Sequence, residues 1–135
     1  MKAKRHDSAD WSRYFVYCPE TGRLIWKERS MDEFGSEQQW RAWNARHAGK
    51  IAGTPHMNGL IRKGIKVRLH SVGYFAHRIA WEMMYGELGH EDFVHHVNGN
   101  PFDNRSCNLS LVRMKRMKRT KRTKEPPVYH GVSSL

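Results

Sequence analysis

This sequence predicts an α+β domain, and three observations carry that prediction. Apolar and charged residues alternate at strand period, most clearly Ile65, Val67 and Leu69 against Lys66, Arg68 and His70. A helical pattern follows over residues 77–85, where Ile79, Ala80, Met83 and Met84 are apolar and Gly86 ends the run. Two further short strands, 92–98 and 109–112, flank a loop rich in Asn, Gly and Pro. The chain has 135 residues, 39% of them hydrophobic, with five each of Trp, Tyr and Phe. That is enough for one compact core with appendages, and too apolar for a disordered chain.

Residues 1–11 form a polar, basic leader with no apolar signal core after it, so secretion is not expected. Tyr14–Tyr17 and Leu24–Trp26 read as two strands joined by the turn Pro19-Glu20-Thr21-Gly22. Ser36 is placed to cap a helix whose box position is Gln39, and Gly49 ends it. Trp40 and Trp43 share one face of that helix and read, with Trp81, as core. Gly53 to Gly64 reads as loop, and Val72 to Phe75 as a turn and a strand. Residues 113–124 could form a last helix, which Pro126-Pro127 would end. The organisation is then a leader (1–11), an N-terminal β-rich and helical part (12–90), a compact module with a basic helix (91–124) and a tail (125–135).

The net charge is +11, the electrostatic footprint of a polyanion binder. Nucleic acid is favoured over a membrane surface. There is no 18-residue apolar run, and the basic tail carries no Trp, Phe or Leu to insert into lipid. Eight basic residues crowd into 113–124. Contacts there with about six phosphates would give log affinity a slope of about −5 against log salt. Cys18 and Cys107 have no CxxC partner, which excludes a thiolate zinc knuckle and a disulfide framework.

The chemistry concentrates in Val94-His95-His96-Val97-Asn98-Gly99-Asn100, followed by Asp103-Asn104-Arg105 and Asn108-Leu109. Adjacent histidines on a strand point to opposite faces, so one can hold a metal while the other activates water. A neutral imidazole can take a proton from water near pH 7. Asn98, Asn100, Asp103 and Asn104 read as turn formers. Asn108, directly before a short strand, is placed to pin the loop to the histidine strand. Arg78 is a phosphate-contact candidate at a helix start, and His77 a packing or orienting residue.

Over roughly residues 14–119 the chain resembles the HNH homing endonucleases of phages and introns. The resemblance rests on the run Phe15 to Lys27, on Trp43-Asn44-Ala45-Arg46 with Ala48-Gly49-Lys50 and Ala52-Gly53, on Ala76-His77-Arg78-Ile79-Ala80-Trp81 with Tyr85-Gly86, and on the His96–Leu109 block. It implies a ββα-metal nuclease module after the β-rich region. It also implies one divalent ion, Mg2+ first, with Mn2+, Ni2+ or Zn2+ as alternatives, and no small-molecule cofactor. The expected activity is metal-dependent hydrolysis of DNA phosphodiesters, with duplex DNA as partner, a monomer or homodimer as agent, and the cytoplasm of an infected bacterium as setting.

By position, the resemblance makes His96 the general base and Asn108 the bracing residue. His95 stands where many relatives carry an aspartate metal ligand, and Asp103 is a second ligand candidate. Arg105, Lys115, Arg116, Lys118 and Arg119, with Arg78, are the nucleic-acid contacts expected. The family's helical metal ligand falls at Met117, with Lys121 one turn on, and neither suits Mg2+. A DNA-binding protein on a catalytically degenerate HNH fold is therefore the alternative. An RNA-binding or ribosome-associated basic protein fits the charge but not the histidine loop.

Overall fold

A computed structural model describes residues 8–114 and 129–130 of the chain. Its fold is a mixed α+β arrangement of three small antiparallel sheets around one central helix. The order is α1 (Ser8–Tyr14), β1 (Phe15–Cys18), β2 (Arg23–Trp26), α2 (Glu37–His47), β3 (Thr54–Asn58), β4 (Ile61–Leu69), β5 (Val72–Phe75), α3 (Ala76–Tyr85), β6 (Asp92–His96), β7 (Leu109–Met114) and β8 (Tyr129–His130).

The first hairpin pairs Phe15 with Trp26 and Cys18 with Arg23. Phe15, Leu24 and Trp26 are buried while Val16 is exposed, the alternation that commits one face of a strand pair to the core. The expected leader is helical from Ser8, and α1 buries Trp11. Seven residues form no stable helix alone, so α1 depends on packing. The Trp11 indole donates to the Glu82 carboxylate on α3 at 2.7 Å. The other oxygen of Glu82 accepts from the Leu88 amide at 2.7 Å.

Helix α2 begins as the sequence indicates. Ser36 accepts from the Gln39 amide at 3.2 Å, and the Gln39 side chain reaches back to the Gly35 amide. Its tryptophans differ from expectation, because no α2 residue is buried. Trp40 donates to the Arg29 carbonyl, and Trp43 packs edge-on against Trp26. Trp81 is likewise only half-buried.

Residues 53–64, expected as loop, are largely the hairpin of β3 and β4. Pro55 is tolerated because β3 is an edge strand. The ladder slips at His56/Met57, opposite Gly64, whose φ of +137° belongs to a bulge that glycine allows. Strand β4 buries Val67 and Leu69 as its alternation predicts, and pairs Leu69 with Val72 through the turn at His70-Ser71.

Helix α3 serves two cores. Ala76 and Ile79 join Trp11, Phe15, Leu24, Val67 and Leu69 on one side. Ala80 joins Leu88, Val94 and Leu109 on the other, beneath the β6–β7 pair. Tyr17 packs against both clusters. Strand β7 continues through Met114 and pairs with Tyr129–His130, so the helix expected over 113–124 does not begin at 113. Residues 115–124 of that expectation lie outside the described residues. No helix among the described residues is long and apolar enough to cross a membrane.

Candidate active site

The site forms where β6 ends. Asp92, Val94 and His96 alternate with the exposed Phe93 and His95 along the strand. His95 and His96 therefore lie on opposite faces, as adjacent strand residues must. His96 faces α3, where its ring meets the edge of the His77 ring at 4.8 Å. His77 in turn stacks on Phe75 at 5.3 Å. The helix that His96 faces precedes the strand pair in the chain; the basic helix expected to cross it lies outside the described residues.

The second partner of His96 is Asn104. His96 Nε2 lies 2.8 Å from Asn104 Oδ1. An amide oxygen only accepts, so Nε2 carries the hydrogen and Nδ1 keeps the lone pair. Asn104 is 2% exposed. Burial holds the His96 imidazole below its ordinary pKa. The Asn104 bond opposes that, the His95 charge adds to it, and Asp103 opposes it. His96 is consequently neutral at pH 7, the state a general base requires. Burial pushes His77 down to about 3, helped by His96 and Arg78, so His77 is an uncharged wall at working pH.

Asn108 ties the loop together. Its oxygen accepts from the Asn98 amide at 2.9 Å, and its nitrogen donates to Asn98 Oδ1 at 2.9 Å and to the Asp103 carbonyl at 2.8 Å. The Val97 amide donates to the Asn108 carbonyl at 2.8 Å. These bonds join the end of the histidine strand to the start of β7.

Asp103 is fully engaged. One oxygen accepts from the Arg105 amide and Nε, the other from Arg105 Nη2 and Asn98 Nδ2. The Arg105 hydrogen bond holds its carboxyl down to about 2. Arg78 Nη1 donates to the Asp92 carbonyl at 2.9 Å, docking α3 on β6. Asp92 also takes the Gly89 amide and Arg113 Nε, which together keep its carboxyl below the usual range. Lys115, Arg116, Met117, Lys118, Arg119 and Lys121 lie outside the described residues.

Among the described residues, no three His, Cys, Asp or Glu side chains gather to hold a metal ion. His95 is exposed and could supply a nitrogen ligand. Asp103 could serve only by giving up hydrogen bonds to Arg105 or Asn98. These groups do not by themselves make a metal site.

Asn104 is the functional candidate that sequence reasoning passed over. Within Asp103-Asn104-Arg105 it reads as a turn former, and no periodicity links it to His96. The oppositely charged Asp103 and Arg105 that flank it, and pair with each other, were the available local signal.

The family model for the HNH endonucleases matches residues 74–119, which bears out the HNH resemblance over that segment. The segment spans α3, β6, the loop and β7, and so holds His77, His96, Asn104 and Asn108. Such a segment points to a nuclease and to nucleic acid as substrate. HNH nucleases generally use a divalent metal. No curated protein and no solved structure matches the chain.

Proposed function

We propose that this protein is an HNH-type DNA endonuclease with His96 as general base. The observation that carries the reading is the His96–Asn104 bond within the matched segment. It leaves Nδ1 as the free basic atom of an imidazole that is neutral at pH 7. Nδ1 takes a proton from water as the water oxygen attacks phosphorus. The P–O bond to the 3′ oxygen breaks, the departing oxygen takes a proton from solvent water, His96 later returns its proton to solvent, and the products are a 3′ hydroxyl and a 5′ phosphate. Asn108 keeps the loop, and so Asn104, in register with the histidine strand.

Duplex DNA is the substrate we assign, on the net charge of +11. Lys115, Arg116, Lys118 and Arg119 are the backbone contacts we propose. Arg105 lines an open cleft of about 510 Å³ together with Arg23, and can offer its remaining guanidinium face to phosphate. Arg78 serves chiefly to seat α3 against Asp92. One divalent cation, Mg2+ first and otherwise Mn2+, Ni2+ or Zn2+, belongs to the proposal, with His95 as one of its ligands. The agent is a monomer or homodimer, in the bacterial cytoplasm.

The test is nicking of supercoiled plasmid in each of those metals, wild type beside His96→Ala, with a gel shift on the same DNA. Metal-dependent nicking that disappears in His96→Ala is the expected result. Tight, salt-sensitive binding without nicking in any metal would favour the second reading, a DNA-binding protein on a degenerate HNH fold. The observation behind that reading is Met117 in the position of the helical ligand. Under it, Met117→Asn or Met117→His would create cleavage where wild type has none.

A further inference from the structure

We propose that the β1–β2 hairpin, which lies outside the matched segment, sets the orientation of His96, with Tyr17 as the positioning residue. Three consecutive residues of the loop lean on this hairpin. The Tyr17 hydroxyl donates to the Asn104 carbonyl at 2.6 Å, across 87 positions of sequence. The Ser106 amide donates to the Pro19 carbonyl at 2.9 Å. Gly22 packs so closely that a Cβ there would lie 2.4 Å from both the Arg105 nitrogen and the Asn104 carbonyl carbon.

The loop's own side-chain bonds reach the Asp103 carbonyl and the Arg105 amide on either side of Asn104, and leave the Asn104 carbonyl to the hairpin. Asn98, Asp103 and Asn108 form one network that closes the loop's two ends. The carbonyl of Asn104, whose side chain meets His96, takes its hydrogen bond from the hairpin. Because Asn104 is buried, water is poorly placed to replace Tyr17 there. Burial pushes the Tyr17 hydroxyl up to about 12, so it remains a proton donor across the working range. The chain of contacts is thus Tyr17 to the Asn104 backbone, and the Asn104 side chain to His96 Nε2.

The effect on cleavage rests on the reading of His96 as base; the effect on the imidazole does not. The test therefore measures both, on the full chain. Exchange of the His96 Nε2 hydrogen with solvent is followed by nitrogen-15 NMR in wild type, Tyr17→Phe, Asn104→Ala and the double variant. Plasmid nicking is measured on the same four proteins. Tyr17→Phe should quicken exchange about fivefold, the worth of one ordinary hydrogen bond, and lower kcat by a similar factor with KM unchanged. In the Asn104→Ala background it should add nothing further, because the two residues act in series.

Unchanged exchange in Tyr17→Phe would overturn the proposal. So would a full fivefold effect persisting on Asn104→Ala, which would mark Tyr17 as a packing residue. Gly22→Ala presses on the same peptide from the turn and must also quicken exchange; this arm decides the matter if Tyr17→Phe does not fold. A wild type that never nicks would defeat the nuclease reading while leaving the exchange measurements to decide this one.

Discussion

Replacing Asn108 by Ala isolates the brace. The side chain is 4% exposed and makes three hydrogen bonds, to the Asn98 amide, to Asn98 Oδ1 and to the Asp103 carbonyl. At about 1 kcal/mol net for each, their loss sums to about 3 kcal/mol. Asn98 is exposed, so water recovers part of its two bonds, and the expected loss is about 2–3 kcal/mol. For a chain of this size that lowers Tm by about 10 °C. The assay is urea unfolding followed by tryptophan fluorescence, with the slope m required to stay constant. Asn108→Asp serves as the isosteric comparison. It keeps one acceptor but faces Asn98 Oδ1 and the Asp103 carbonyl with oxygen, so it should be no more stable than Asn108→Ala. A loss below about 0.5 kcal/mol in Asn108→Ala, the scatter of ordinary surface changes, would refute the brace. So would wild-type stability in Asn108→Asp.

Further outcomes follow from other sites. Gly22→Ala places a side chain at φ +79° against backbone; urea unfolding should show a loss of at least about 2 kcal/mol. Glu82→Ala removes the acceptor of the buried Trp11 indole and of the Leu88 amide, and calorimetry should record about 2–4 kcal/mol of destabilisation. His77 stays neutral in the fold down to about pH 3, whereas the unfolded chain protonates it near 6.5. Stability should therefore fall as pH drops from about 6.5 toward 3, and His77→Leu should flatten that limb in pH-dependent unfolding. Asp103, held at about 2 by Arg105, adds stability above about pH 4 that is lost as pH falls toward 2. Asp103→Asn should remove that lower limb in the same titration.

Much of this fold is legible in the sequence where short-range rules govern. The β1–β2 hairpin follows from alternation around a Gly-containing turn, and Ser36 and Gln39 announce the start of α2. Helix α3 shows in the spacing of Ile79, Ala80 and Met83, with Gly86 at φ +112° to close it. The opposite faces of His95 and His96 follow from strand geometry alone. Elements built by tertiary contact are not legible. Helix α1 is a single short segment held by Trp11 on Glu82, 71 positions away. Strand β3 and the first residues of β4, 61–64, were hidden by Pro55, Gly59 and Gly64, although Asn58-Gly59 is itself a hairpin signal. The Asn104–His96 bond depends on which way one side chain turns in a loop, and Tyr17 reaches that loop from the far end of the chain. No periodicity records either contact.

The account turns on His96 as the base. Chemical rescue tests it most directly: His96→Gly is assayed for DNA nicking in the metal that supports wild type, with and without added imidazole. The account predicts no nicking by His96→Gly alone and recovery that rises with the concentration of unprotonated imidazole. Nicking by His96→Gly at the wild-type rate without imidazole would contradict it.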